Sequence, residues 1–256
     1  MSQNRKALEE LLRKEIQNSG FPLENYCSIV LSKNGWGVTP HFMYLSTESR
    51  SEADFREIDI FAVKRTKTGV LNTLIIECKK QENKPWVLFE GNRQNVNVHT
   101  LNVGDPQLYE ELSTEFKNHY YYEKIPCVYH FPRFEKKNEP EVILQAINKI
   151  LDAVASHVNR ERTILSKLTT FEPELRRQIR RVFYPVIVLD GMLYKAHLDE
   201  DGTITLTDSD YLQLLVIRAL RYADETIPNA GIEAFRRRYI IDIVKKEHFE
   251  DFLHNF

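Results

Sequence analysis

Leu74, Ile75 and Ile76 constrain the fold more than any other part of this chain, because they run straight into Glu77-Cys78-Lys79. Side chains along a strand alternate between faces, so consecutive large apolar residues mean a strand covered on both sides, in the interior of a sheet. Glu77 and Lys79 then share one face while Ile76 and Cys78 point to the other, and a charged end on such a strand needs a chemical reason. Residues Glu57 to Val63 form a second β-rich run, and Thr68-Gly69 is a turn signal between the two, so they are expected to pair as a hairpin. Symmetry about Thr68 sets Asp59 directly opposite Glu77. It also puts Glu57 on the face of Asp59, with Ile58, Ile60 and Ala62 on the opposite one.

Directly opposed residues have Cβ atoms roughly 4.5 to 5.5 Å apart, where two carboxylates repel. A divalent cation between them removes that cost, and Mg²⁺ or Mn²⁺ suits a site of one or two carboxylates with water and substrate oxygens. Lys79, one pleat further on, is placed to orient or deprotonate an attacking water. It offsets the repulsion only in part, so Asp59→Asn is expected to leave the metal-free protein equally or more heat-stable. The Cys78 thiol, on the other face, is expected to be buried and unreactive.

The rest of the chain supplies elements around this pair. Leu8, Leu11, Leu12 and Ile16 recur at helical spacing between Asn4 and Gln17, and Gly20 with Pro22 ends that helix. A second helix is expected from about Glu24, with Tyr26, Cys27, Val30 and Leu31 on one face. After Gly35, Trp36, Val38, Phe42 and Tyr44 alternate as in an edge strand. Beyond Trp86, whose expected role is an anchor between helix and sheet, comes a polar stretch from Asn92 to Asn102. Helices are expected at Pro106 to Asn118 and at Glu141 to Asn159, the latter carrying Ile143, Ile147, Ile150, Val154 and Val158 on one face. Short strands follow at Val186 to Leu189, Leu193 to Leu198 and Thr203 to Thr207, punctuated by turns at Asp190-Gly191 and Asp201-Gly202. Tyr211 to Tyr222 reads as either strand or helix, Tyr239 to Val244 as a buried strand, and His248 to Phe256 as a short helix that turns Phe249, Phe252 and Leu253 inward.

Composition narrows the classes. A formal net charge of -2 gives no global attraction to nucleic acid, so any phosphate-binding surface must be local. The clusters Arg133, Lys136 and Lys137, Arg176, Arg177, Arg180 and Arg181, and Arg236 to Arg238 are each expected to be solvated helix faces. Cys27, Cys78 and Cys127 share no metal-knuckle spacing and suggest no disulfide framework, which fits a reducing cytoplasm. A signal peptide is not expected, no long apolar run suits a membrane span, and no HExxH, GxSxG or GxxxxGK motif occurs. Phe116, Tyr120, Tyr121, Tyr122 and Phe131 suit a groove or a buried helix end equally, and Gln94 suits a phosphate contact or a polar loop.

Arg56-Glu57-Ile58-Asp59 followed by Ile75-Ile76-Glu77-Cys78-Lys79 resembles the PD-(D/E)XK motif of restriction-endonuclease-like nucleases, over roughly residues 20 to 90. Ile58 stands where the motif has Pro, a position of backbone shape rather than chemistry. The resemblance implies an α/β fold with a restriction-endonuclease-like αβββαβ core, a mixed central sheet flanked by helices, and Mg²⁺-dependent phosphodiester hydrolysis leaving 5′-phosphate ends. It implies Asp59, Glu77 and the Cys78 backbone carbonyl as metal ligands and Lys79 as the water-activating or charge-stabilising group. Glu24 fits the family's helix acid better than Glu15, because it opens the helix before Trp36.

The expectation is one nuclease-like domain over residues 1–256, with its motif region at about 20–90, a helical insertion at about 91–180 and C-terminal strands extending the same sheet from about 184. The expected activity is an Mg²⁺- or Mn²⁺-dependent endonuclease acting on DNA rather than RNA, cytoplasmic and not membrane-bound. A homodimer or partner protein is expected to supply any sequence specificity. The alternative is a catalytically inactive binding or scaffold module of the same fold, working with a partner protein.

Overall fold

Leu74, Ile75 and Ile76 are fully buried, and the strand that carries them is the axis of the sheet. The computed structural model describes residues 2–46, 54–67, 69–90, 127–130, 142–171, 181–219, 236–254 and 256. Within these residues the chain is α/β, a mixed open sheet of eight strands flanked by four helices. The strands are β1 (Gly37–Leu45), β2 (Phe55–Arg65), β3 (Leu71–Glu90), β4 (Cys127–His130), β5 (Arg181–Leu198), β6 (Ile204–Asp208), β7 (Tyr211–Ala219) and β8 (Arg236–Lys245). The helices are α1 (Ser2–Asn18), α2 (Phe21–Lys33), α3 (Val142–Phe171) and α4 (Phe249–Leu253), the last preceded by a 3₁₀ turn at Lys246–His248.

β3 pairs antiparallel with β2 along one edge and parallel with β5 along the other, from Leu71↔Arg181 to Phe89↔Ala196. β1 lies outside β2, β8 pairs parallel with β5, and β7 pairs antiparallel with β8, so the C-terminal strands join the same sheet. The β2–β3 register runs from Arg65↔Leu71 to Ile60↔Ile76, which is symmetric about position 68 as expected. Gly69 has φ of 85°, in the left-handed region that favours glycine, and the Thr66 amide donates to the Val70 carbonyl at 2.8 Å to close the turn.

Two apolar cores lie on opposite faces of the sheet. One is roofed by α3 through Ile143, Ile147, Ile150, Val154 and Val158, the stripe read from the sequence, and includes Ile75, Ile187 and Leu189. The other, under α2 and α4, gathers Cys27, Leu31, Ile60, Ala62, Leu74, Ile76, Val188 and Phe249. Phe252 and Leu253 are buried there as well. Trp86 is buried beneath α3, in keeping with an anchoring role.

Several expectations are corrected. Strict alternation along β2 fails at Asp59: Ile58 joins the α3-side core with Phe61, whereas Ile60 and Ala62 pack on the other side. The cause lies in β1, where His41 adopts φ of 50° and the ladder to β2 is interrupted between Pro40↔Ile60 and Phe42↔Ile58. Asp190-Gly191 is not a turn. β5 runs through it, because Gly191 lies against β3, where an added Cβ would stand 2.6 Å from the Gln81 carbonyl oxygen. The turn at Asp201-Gly202 does form, with φ of 85° at Gly202 and the Thr203 amide donating to Asp201 Oδ1 at 2.9 Å.

Tyr211–Ala219 is strand, which settles the ambiguity there, and α3 continues to Phe171, well past Asn159. α1 forms as expected, yet its stripe of Leu8, Leu11, Leu12 and Ile16 is exposed. Arg181 and Arg236 to Arg238 begin strands instead of lining helices, and Arg181 donates to Thr73 and Glu161. The expected helix at Pro106 to Asn118, the stretch Asn92 to Asn102 with Gln94, Phe116, Tyr120 to Tyr122, Phe131, Arg133, Lys136, Lys137, Arg176, Arg177 and Arg180 lie outside the described residues. Among the described residues no helix is long and apolar enough to cross a membrane.

His157 of α3 is buried between aromatic rings, 4.9 Å from Phe42 and 4.7 Å from Phe61 between centroids. Burial, reinforced by Arg181 and Arg160, holds its pKa down at about 4. The unfolded chain takes up this proton near pH 6.5, but the folded chain does so only near 4, so acidification favours unfolding across that window. Roughly 3 kcal/mol of stability is expected to be lost between these limits, and His157→Phe should remove that slope in denaturant titrations at graded pH. Gly191→Ala, which forces a methyl against the β3 backbone, is expected to cost about 1–3 kcal/mol in the same assay.

Candidate active site

The interruption opposite His41 leaves Asp59 and Glu77 one step beyond the last paired rung of β2 and β3, on the face covered by α3. Asp59 is 7% exposed and Glu77 is fully buried. Each carboxylate has one oxygen fixed locally. The Cys78 amide donates to Asp59 Oδ2 at 2.7 Å, and Lys79 Nζ donates to Glu77 Oε1 at 2.5 Å, so Glu77 and Lys79 do share a face.

The remaining two oxygens converge on a residue that the sequence reading missed. Lys149 of α3 places its ammonium 2.9 Å from Asp59 Oδ1 and 2.7 Å from Glu77 Oε2. The sequence offers a faint signal, a lysine between Ile147 and Ile150, just ahead of the most buried stretch of an amphipathic helix. Its partner was not readable, since Asp59 lies 90 residues away. The expected strain between two bare carboxylates is therefore corrected: a cation already stands between them. Burial and the neighbouring Asp59 charge still push the Glu77 carboxyl above its ordinary value. Burial pulls the Lys149 ammonium down, but Glu77 and Asp59 outweigh it and leave its pKa raised.

Glu24, at the start of α2, stands on the rim of this site, whereas Glu15 is exposed on α1. Burial, and after it the Asp59 charge, raise the Glu24 pKa. His41 Nδ1 lies 3.8 Å from Glu24 Oε2 and 2.9 Å from Glu57 Oε1. Its hydrogen bond to Glu57 outweighs slight burial and raises the imidazole pKa. Glu57 is thus drawn to His41 instead of joining Asp59, a further consequence of the broken alternation.

The Cys78 thiol is buried, and its contact with Cys27 together with burial holds its pKa well above the ordinary thiol value, as suits an unreactive group. Cys27 and Cys127 are also free and buried.

Among the described residues no group of three or more His, Cys, Asp and Glu side chains is arranged to hold a metal ion. Mg²⁺, however, needs only one or two carboxylates beside water and backbone carbonyls. Asp59 Oδ1 and Glu77 Oε2 both bind one cationic head, so the donor set and its charge fit such an ion. Comparison with protein-family models, curated proteins and solved structures gives no match to this chain.

The site geometry reverses the stability expected of Asp59→Asn. An amide at this position can still accept from the Cys78 amide, but its NH₂ group or a neutral oxygen then meets the Lys149 ammonium. The metal-free variant is expected to be less stable than wild type by about 1–3 kcal/mol, read as a lower Tm and denaturant midpoint.

Proposed function

We propose that the chain is a divalent-metal-dependent nuclease that hydrolyses phosphodiester bonds through Asp59, Glu77 and Lys79. The observation that carries this reading is the convergence of two carboxylate oxygens, one from each hairpin strand, on a single cation position just past the last paired rung of β2 and β3. Further support comes from element order: α2, β1, β2, β3, α3 and β5, with β4 intervening, follow the αβββαβ sequence of restriction-endonuclease-like nucleases. The parallel placement of β5 beside β3 adds to it, because β5 stays paired with β3 through Glu77 and Lys79 while the β2 ladder stops at Ile76, so the carboxylate pair stands where β2 and β3 part. The choice of DNA over RNA rests on the motif's resemblance alone.

Asp59, Glu77 and the Cys78 carbonyl would hold Mg²⁺ or Mn²⁺, which when bound polarises the scissile phosphate and lowers the pKa of water. The chain's own groups do the rest. Lys79 Nζ, anchored on Glu77 Oε1 and partly exposed, faces solvent at the carboxylate pair, where it orients the attacking water and stabilises developing negative charge on the phosphate. Asp59 is held in one rotamer by the Cys78 amide, so its ligand oxygen is preorganised. Glu24 on the rim supplies a further acceptor for the water shell.

One observation favours a second reading, the inactive binding or scaffold module working with a partner protein: Lys149 neutralises both carboxylates without any metal. The two readings separate in a cleavage assay on plasmid, linear and single-stranded DNA and on RNA, with Mg²⁺ or Mn²⁺ and with EDTA. Metal-dependent nicking is expected, with Lys79→Ala at least about a hundredfold slower and still folded by circular dichroism. Cleavage that survives EDTA, or full activity in Lys79→Ala, overturns the mechanism, and inactivity on every substrate favours the scaffold.

A further inference from the structure

We infer that Lys149 is a built-in competitor for the metal: its ammonium holds the two carboxylate oxygens that a divalent ion needs, so metal loading requires its displacement. This rests on the nuclease reading of the site and names the residue that regulates it.

Asp59 Oδ2 is committed to the Cys78 amide and Glu77 Oε1 to Lys79 Nζ, which leaves Asp59 Oδ1 and Glu77 Oε2 as the pair open to a shared cation. Lys149 Nζ takes both, at 2.9 and 2.7 Å. Glu77 Oε2 is buried and accepts no hydrogen bond of regular geometry among the described residues, so the Lys149 ammonium at 2.7 Å holds it by charge alone. A divalent ion sharing those oxygens would stand within a few ångströms of the ammonium, where like charges in a poorly solvated site repel strongly. The two cations therefore exclude each other.

The side chain is built to leave. Glu77 is fully buried, but the Lys149 side chain is 32% exposed, on a flexible stem at the edge of α3. One turn along the helix, Asp152 Oδ2 already accepts from Ser46 Oγ at 2.8 Å and Arg56 Nη1 at 3.3 Å. A displaced ammonium thus meets an engaged carboxylate on that side and turns to solvent. Meanwhile α3 stays in place, because its own apolar stripe fixes it to the sheet. The exchange needs a change of side-chain rotamers, not of fold.

The test is Mn²⁺ binding by calorimetry to the full chain as wild type, Lys149→Met, Lys149→Arg and Asp59→Asn. A competitor lowers apparent affinity by the fraction of molecules in which it has moved away, so Lys149→Met is expected to bind about tenfold more tightly or better. Lys149→Arg should stay at or below wild-type affinity, and Asp59→Asn should lose binding. In parallel, reductive methylation of wild-type protein read by mass spectrometry should find the Lys149 amine protected in EDTA and reactive in saturating Mg²⁺. Equal or weaker Mn²⁺ binding by Lys149→Met, with Asp59→Asn abolishing it, overturns the competition and leaves the metal site standing. No binding by wild type or Lys149→Met overturns the nuclease reading itself and the inference with it. Should Lys149→Met fail to fold, the amine labelling decides: reactivity unchanged between EDTA and Mg²⁺ overturns the inference.

Discussion

The Lys149 ammonium between Asp59 and Glu77 is the contact on which the arrangement of this site depends. A carboxylate with no solvent exposure is tolerable only when its charge is met at close range, since the effective penalty for burying an ion runs to several kcal/mol. Lys79 meets one oxygen of Glu77 and Lys149 the other, while the Cys78 amide and Lys149 do the same for Asp59. Removing Lys149 alone would leave two acidic groups facing each other in a half-dry pocket. The placement of α3 on this face thus has an electrostatic consequence as well as an apolar one.

Backbone geometry prepares the pocket for that contact. His41 at positive φ interrupts the β1–β2 ladder opposite Asp59, and the interruption brings Ile58 onto the α3 side next to Asp59. It also sends Glu57 to His41, which keeps a third acidic group away from the pair. β3 makes a comparable adjustment further on. Between Gln81↔Gly191 and Trp86↔Leu193 it takes five steps while β5 takes two, and the odd surplus turns Trp86 and Leu88 beneath α3. Both irregularities fall beyond the paired stretch of Ile60–Arg65 with Leu71–Ile76, so the regular hairpin lies between the places where side chains are re-aimed.

What was legible in the sequence was local. The turn at Thr68-Gly69 and the alternation on both sides of it determine the β2–β3 register within a dozen residues, and the stripe from Ile143 to Val158 identifies its helix without reference to anything else. The failures have physical causes of two kinds. Gly191 reads as a turn because glycine serves both turns and close backbone approach, and the neighbour that decides between them, Gln81, is distant in the chain. Lys149 shows no pattern of its own, because an isolated lysine on an amphipathic helix is ordinarily a solvated one. Its significance arises only when α3 is laid over β3 at Glu77. The α1 stripe fails differently: helical spacing forms the helix but does not supply a surface to cover Leu8, Leu11, Leu12 and Ile16.

Energetics weigh between the two readings of the site. Buried ion pairs rarely add stability beyond what apolar residues of similar size would give, because desolvation consumes most of the Coulombic gain. A chain that needed only a stable sheet under α3 would do as well with apolar side chains at positions 59, 77 and 149, continuing the run of Leu74, Ile75 and Ile76. Two carboxylates and two ammonium groups on and around a largely buried strand are, by that measure, an expensive way to hold a fold. Register is not their purpose either, since the turn at Gly69 and the apolar alternation already specify it. What the charged cluster provides and an apolar one cannot is a pair of preorganised oxygens whose occupying cation can be exchanged. On the proposed reading the pair serves chemistry, a use that a module binding a partner only through its surface would not have for oxygens buried under α3.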